Sequence, residues 1–230
     1  MMVGKKTVLV VGASRGLGLA LAEEYSGRGW RVIATSRGPS AGLEKLCKRY
    51  PDTLEIETVD TVDLLSVRAL GKRLEGRTLD TLFVNAGICR ASDLTPLQVN
   101  EQDFIDMMVT NALSPMRVIE VFHDMVAETG VIAAMSSEIG SITNSTGFWE
   151  LYSSSKAALN MLMKSFAAHH PGDSRALLLV APGWVRTEMG GQKASFDISE
   201  SIPLVVDVVE RSAGTPGLRF IDRFGNVLPW

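Results

Sequence analysis

A chain of 230 residues, 46% hydrophobic and 21% charged, is long enough to bury a substantial core and has the composition of an ordinary globular protein. Its net charge of −3, with no local Lys/Arg run, offers no basic face to nucleic acid or an anionic membrane. Apolar runs such as TVLVV and ALLLVAPGW are too short to span a bilayer. Cys47 and Cys89, the only cysteines, form no CxxC, so a cytoplasmic protein with reduced thiols is expected. His123, His169 and His170 have no ligand-type partners at useful spacing, and no metal site is expected.

KKTVLVVG reads as a first strand, because its short apolar run leads into Gly-Ala-Ser-Arg-Gly and not into a cleavage site. GLGLALAEEYSGRG then reads as a helix with Leu17, Ala20, Leu21 and Tyr25 on one side, WRVIATS as a strand and AGLEKLCKRYP as a helix. LEIETVD is a strand, DLLSVRALGKRL a helix and LDTLFVNAG a strand. A long helix is expected over about 101–127, a strand at GVIAAMSS, a helix over 152–169, a strand at RALLLVAPGW, a helix over 202–212 and a last short strand at LRFIDRFG. Near-continuous apolar strands separated by amphipathic helices predict a parallel sheet covered on both faces. The fold class is therefore α/β, a doubly wound, Rossmann-like sheet forming one domain over 1–230, without a linker or internal repeat.

Three features carry chemistry. VVGASRGLG joins the first strand to the first helix, with Gly12, Gly16 and Gly18 where a tight turn, a close approach and helix–sheet packing need them. Such a turn presents free N–H groups and the positive end of a helix dipole to phosphate. The second strand ends in Ser36 and Arg37 with no carboxylate, which suits a ribose 2′-phosphate better than a free 2′-hydroxyl. In ELYSSSKAALN, Tyr152 and Lys156 stand four apart. The serine run by itself resembles a flexible linker, and the pair by itself resembles a surface contact worth a few tenths of a kcal/mol. On one helix face, however, an ammonium favours the phenolate and lowers the tyrosine's pKa, fitting it for proton transfer. Pro115 removes the i+4 donor from the carbonyl of Asn111, so the long helix should kink there.

The G-x-x-x-G-x-G spacing with Ser14 and Arg15 between the glycines resembles the short-chain dehydrogenase/reductase family, and motifs along nearly the whole chain extend the resemblance. It implies a catalytic set of Asn111, Ser137, Tyr152 and Lys156. Ser137 would hold the substrate oxygen, with Ser136 the alternative, and the main chain of Asn111 would hold a water joined to Lys156. It implies NADP(H) as cofactor, bound by the turn from Gly12 through Ser14, Arg15, Gly16 and Leu17 to Gly18. Ser36, Arg37, Asp60 of DTVD, Asn85-Ala86-Gly87, Tyr152, Lys156, and Pro182, Val185 and Thr187 of APGWVRTEM would complete the cofactor site. A short substrate lid would cover about 188–201. Phe148, Trp149, Trp184 and Cys89 are candidate pocket residues. The ending LRFIDRFGNVLPW resembles the small carbonyl-reductase-like, or C-factor/sniffer-like, subgroup. The implied activity is an NADPH-dependent ketone or aldehyde reductase; the alternative is a dinucleotide-binding regulatory or signalling protein on the same fold. The implied partners are a small carbonyl or alcohol substrate and further copies of the chain, in a homodimer or homotetramer through helices 101–127 and 152–169.

Overall fold

β-branched and leucine-rich runs form seven strands, and those at the centre of the sheet alternate their side chains between two buried faces. The computed structural model describes residues 5–230; residues 1–4 of the expected domain lie outside the described residues. The strands are β1 (Thr7–Val11), β2 (Arg31–Ser36), β3 (Leu54–Thr58), β4 (Leu79–Val84), β5 (Val126–Met135), β6 (Ala176–Ala181) and β7 (Gly217–Asp222). All pair in parallel, in the order β3-β2-β1-β4-β5-β6-β7. The helices are α1 (Gly16–Gly27), α2 (Ala41–Arg49), α3 (Leu64–Arg73), α4 (Glu101–Met108), α5 (Ser114–Phe122), α6 (Glu150–His169) and α7 (Ile198–Ser212).

The two-residue period of the strands assigns the core. Val8, Val10, Phe83, Ala133 and Leu178 face one side, where Leu21, Tyr25, Val205 and Val209 of α1 and α7 cover them. Leu9, Val11, Leu82, Ala134 and Leu179 face the other, against Ile119, Phe122, Leu159 and Met163 of α5 and α6. The fold is thus the expected doubly wound single domain. Strand order reverses between β1 and β4, which opens a crevice at their carboxyl ends, where ligands bind in such sheets.

The larger departures from the expected boundaries each have a local reason. The long helix is broken by a π-turn at Val109–Leu113 and ends at Phe122. β5 begins at Val126, because after pairing Val126 with Leu79 the ladder resumes at Val131 opposite Thr81, across a bulge. α7 begins at Ile198, before Pro203, since the Glu200 carboxylate accepts the Asp197 N–H at 2.6 Å and starts the helix early. No described helix is long and apolar enough to cross a membrane. Removing the Phe122 ring, fully buried between α5 and the sheet, should cost about 3–5 kcal/mol, read as a shift in urea midpoint for Phe122→Ala.

Candidate active site

The glycine turn is built by close contact of backbones. Gly12 has φ +87°, and a Cβ there would lie 2.8 Å from the backbone of Ala86, so no side chain fits. A Cβ on Gly18 would collide with the carbonyl oxygen of Gly12. The Asn85 amide donates to that carbonyl at 2.9 Å, and the N–H groups of Asn85 and Ala86 donate to Val11 O at 2.9 and 3.1 Å. The Asn85-Ala86-Gly87 stretch therefore braces the turn. Thr35, fully buried on β2, contributes too: its hydroxyl accepts from Gly12 N–H at 3.0 Å and its carbonyl from Ala13 N–H at 2.7 Å. Sequence patterning gave no signal for Thr35, whose hydroxyl is hidden inside an apolar strand.

α1 has no side-chain cap and no acidic residue in its first turn, whereas the Ser40, Asp63 and Asn100 side chains cap α2, α3 and α4. The positive end of α1, with its orphan N–H groups around Gly16–Gly18, is left available to an anion. Leu17 turns into the core, and Ser14 is exposed. At the end of β2, Ser36 is buried and donates to Gly38 O at 2.6 Å, and Arg37 projects into solvent. Arg15 pairs with Glu188, linking the turn to the loop after β6. Thr187 of that loop lies beside Gly16. Val185 is buried, and the Pro182 carbonyl is held by the Ser201 hydroxyl at 2.7 Å. Asp60 is half-buried and accepts from Val62 N–H at 3.2 Å.

Tyr152 and Lys156 share a face of α6. Lys156 is only 3% exposed; its Nζ donates to Met135 O at 2.9 Å and sits 5.7 Å from the Tyr152 ring centre. A Cβ on Gly87 would lie 3.3 Å from the Asn111 amide oxygen and 3.6 Å from Lys156 Nζ, so these three meet. Asn111 lies inside the π-turn, a stretch where Pro115 offers no N–H. Its side chain is fully occupied: the oxygen accepts from Ile88 N–H at 2.8 Å, and the amide donates to Ile88 O at 2.8 Å and Ser155 Oγ at 3.0 Å. The serine run is therefore part of the helix, and Ser155 ties α6 to the π-turn. Ser136 is buried, its hydroxyl committed to Asn160 Oδ1 at 2.7 Å. Ser137 is half-buried, and its hydroxyl is uncommitted among the described residues.

The electrostatics differ from the simple expectation that Lys156 lowers the pKa of Tyr152. Burial pushes the Tyr152 phenol up, and the nearby Cys89 pushes the same way. Burial pushes Lys156 down from 10.5 to about 8, with Cys89 opposing. Cys89 is itself pushed up to about 11, chiefly by burial and then by Asp93. Near neutral pH the site thus holds a protonated phenol, a protonated thiol and an ammonium with little reserve of charge stability.

Four rings gather at the mouth. Phe148 stacks on Trp149 with centroids 4.9 Å apart, Trp149 meets Tyr152 edge-on at 6.0 Å, and Trp184 lies 5.8 Å from Phe148 and 6.3 Å from Trp149. Trp149, the residue before α6, holds φ +48°, a left-handed conformation that is unusual for a bulky side chain. Among the described residues no group of three or more His, Cys, Asp or Glu side chains is arranged to hold a metal ion.

Lys156 gives a pH signature. Between about pH 8 and 10.5 the unfolded chain retains a proton that the folded chain has released, so folding stability rises with pH in that window. The stability difference between wild type and Lys156→Met in urea melts should shift in favour of wild type from pH 7 to pH 10. An unchanged difference would show that the lysine's burial does not shift its titration.

Comparisons with known proteins show the family. Residues 6–197 match the family model described as short chain dehydrogenase. A short-chain dehydrogenase/reductase of Burkholderia multivorans, solved with bound NADP, superposes with a TM-score of 0.96 at 48% identity, covering 99% of this chain and 100% of that one. A carbonyl reductase of Pseudomonas aeruginosa in complex with NADP gives a TM-score of 0.92 at 37% identity, covering 99% and 100%. An oxidoreductase of Schizosaccharomyces pombe is 31% identical over 195 residues, 80% of this chain and 75% of its own. The chain belongs to the short-chain dehydrogenase family of oxidoreductases.

Proposed function

We propose that the protein is an NADPH-dependent reductase of ketones or aldehydes. The observation that carries the reading is the buried Lys156 ammonium bonded to the Met135 carbonyl at the end of β5 and beside Tyr152, with the hydroxyl of Ser137, two residues past Met135, left uncommitted among the described residues. NADP in the superposed Burkholderia and Pseudomonas structures supports the cofactor. The residues here fit that group: the α1 N-terminus has no side-chain cap and no acidic residue in its first turn, and Gly12 and Gly18 let the backbone of the turn close up in front of it. The N–H groups of Gly16–Gly18 would hold the pyrophosphate, Arg37, Arg15 and Ser36 the 2′-phosphate, and Asp60 the adenine. Asn85–Gly87, Pro182, Val185 and Thr187 would line the rest, with Lys156 on the nicotinamide ribose. The cofactor, when bound, supplies the hydride that reaches the carbonyl carbon.

The chain's own groups do the remaining work. Ser137 orients the carbonyl oxygen by donating its hydroxyl hydrogen. Tyr152, kept a neutral phenol by burial, gives its proton to that oxygen as charge develops there. Lys156 stabilises the phenolate left behind, and the Asn111 main chain supports a water path by which Tyr152 is reprotonated. The apolar rings of Phe148, Trp149 and Trp184 exclude water on one side and favour a substrate with an apolar flank. The loop before α7 serves as the lid, with Glu188 exchanged for the cofactor phosphate at Arg15. Exposed Ile105, Leu113, Met161 and Leu162 on α4–α6 give a surface for a second copy.

Tyr152→Phe should lower reductase kcat roughly 10²- to 10⁴-fold while NADPH still binds, as followed by NADPH absorbance and by fluorescence titration. Undiminished turnover would remove Tyr152 from the mechanism. Arg37→Ala should raise the KM for NADPH about tenfold and leave that for NADH unchanged, since only the former carries the phosphate. Met161→Glu should lower the particle mass by light scattering, and an unchanged mass would locate the association surface elsewhere.

A further inference from the structure

We infer that the hairpin made by β7 and the chain after it is a positioning clamp on both walls of the substrate entrance; the inference rests on the reductase reading above. The hairpin is stiff. Ile221 pairs antiparallel with Val227, Leu228 N–H donates to Phe220 O at 2.8 Å, and Asp222 N–H to Asn226 O at 3.0 Å. The Asp222 carboxylate closes the turn by accepting from the Phe224 N–H, the Asn226 N–H and the Asn226 amide, each at 2.9 Å.

From this hairpin one arm reaches the loop after β6. Arg223 is only 8% exposed, and among the described residues its guanidinium has no ion pair or hydrogen bond. Instead it lies 3.8 Å from the ring centre of Phe196 and 4.5 Å from that of Phe224. The guanidinium borders an open pocket, and the two rings hold its flat face. Phe196 in turn pairs with the entrance loop: its N–H donates to Trp184 O at 3.1 Å, and its carbonyl accepts from Arg186 N–H at 2.8 Å. Arg223 Nη1 also fills the space that a side chain at Gly183, φ +84°, would need. Arg223 thus fixes the segment that carries Trp184.

The second arm reaches the opposite wall. The Trp230 carbonyl accepts from Thr143 N–H at 2.9 Å and from Thr143 Oγ1 at 2.7 Å. Its ring packs 5.8 Å from Phe220 of β7, with Lys164 Nζ 5.1 Å above it. Thr143 lies in the segment between Ser137 and Tyr152 that carries Phe148 and Trp149. One rigid hairpin therefore ties down both sequences whose rings meet across the entrance, Phe148 and Trp184 at 5.8 Å. Neither Arg223 nor Trp230 has a part in the chemistry proposed above; both act through the rings they position.

The test pairs hydrogen exchange with kinetics. Trp230→Ala should speed amide exchange about tenfold in residues 141–149 and leave 184–196 unchanged; Arg223→Leu should do the reverse. Each should raise the KM for a carbonyl substrate roughly fivefold, with kcat and the dissociation constant of NADPH within about twofold of wild type. Trp230→Phe should restore KM, whereas Arg223→Lys should not, because an ammonium lacks the flat guanidinium face. If Arg223→Leu does not fold, Phe196→Leu removes the same stack. Exchange that rises uniformly, or in neither segment, overturns the clamp, as does an unchanged KM. A wild type that turns over no carbonyl defeats the reductase reading instead, and the exchange pattern then decides the clamp by itself.

Discussion

An ammonium taken out of water holds this site together. Lys156 gives up nearly all its hydration for one 2.9 Å hydrogen bond to the Met135 carbonyl, and among the described residues no carboxylate pairs with it. A charge so placed is tolerated only if its surroundings are fixed. The end of β5, the first turn of α6, Gly87 and the π-turn all close around it. The same burial lowers the pKa of Lys156 and raises that of the neighbouring phenol. The protonated state of the Tyr152 phenol is therefore a by-product of the packing around the lysine.

The crevice has two kinds of support. At the cofactor end, backbone touches backbone: Gly12 against Ala86, with Asn85 and Thr35 supplying hydrogen bonds that the turn cannot make for itself. At the Lys156 end, side chains carry the load. Asn111 uses every polar atom of its amide to join the β4 loop to Ser155 on α6. Because both of its side-chain atoms are spoken for, any further role for this residue falls to its main chain, in a stretch that Pro115 has already perturbed.

The architecture was legible because parallel strands buried on both faces leave unbroken apolar runs, as in TVLVV and ALLLV. The glycine turn was legible because a tight strand-to-helix turn needs glycines at fixed positions, and the four-residue spacing of Tyr152 and Lys156 predicted the helix face they share. Pro115 announced a distortion at Asn111, though whether it would be a kink or a π-turn depends on packing. The start of α7 carried a readable signal in Asp197-x-x-Glu200, which the breaker Pro203 obscured. The early start of β5 was hidden, since Glu128 and Thr129 interrupt its apolar pattern inside a bulge. Thr35, Arg223 and the direction of the Tyr152 shift depend on what lies opposite each residue, which local sequence does not record. The resemblance favoured Ser137 over Ser136, but that the Ser136 hydroxyl bonds Asn160 could not be read from sequence.

Trp149 sits where chain geometry and ring placement disagree. Its left-handed backbone costs a bulky residue about 1–3 kcal/mol, which glycine would largely avoid. Yet only an aromatic residue there can both stack on Phe148 and meet Tyr152 edge-on. A library randomised at this one codon would therefore diverge under two selections. Heat challenge would enrich glycine and asparagine, and selection on the reductase activity proposed above would bring back the rings.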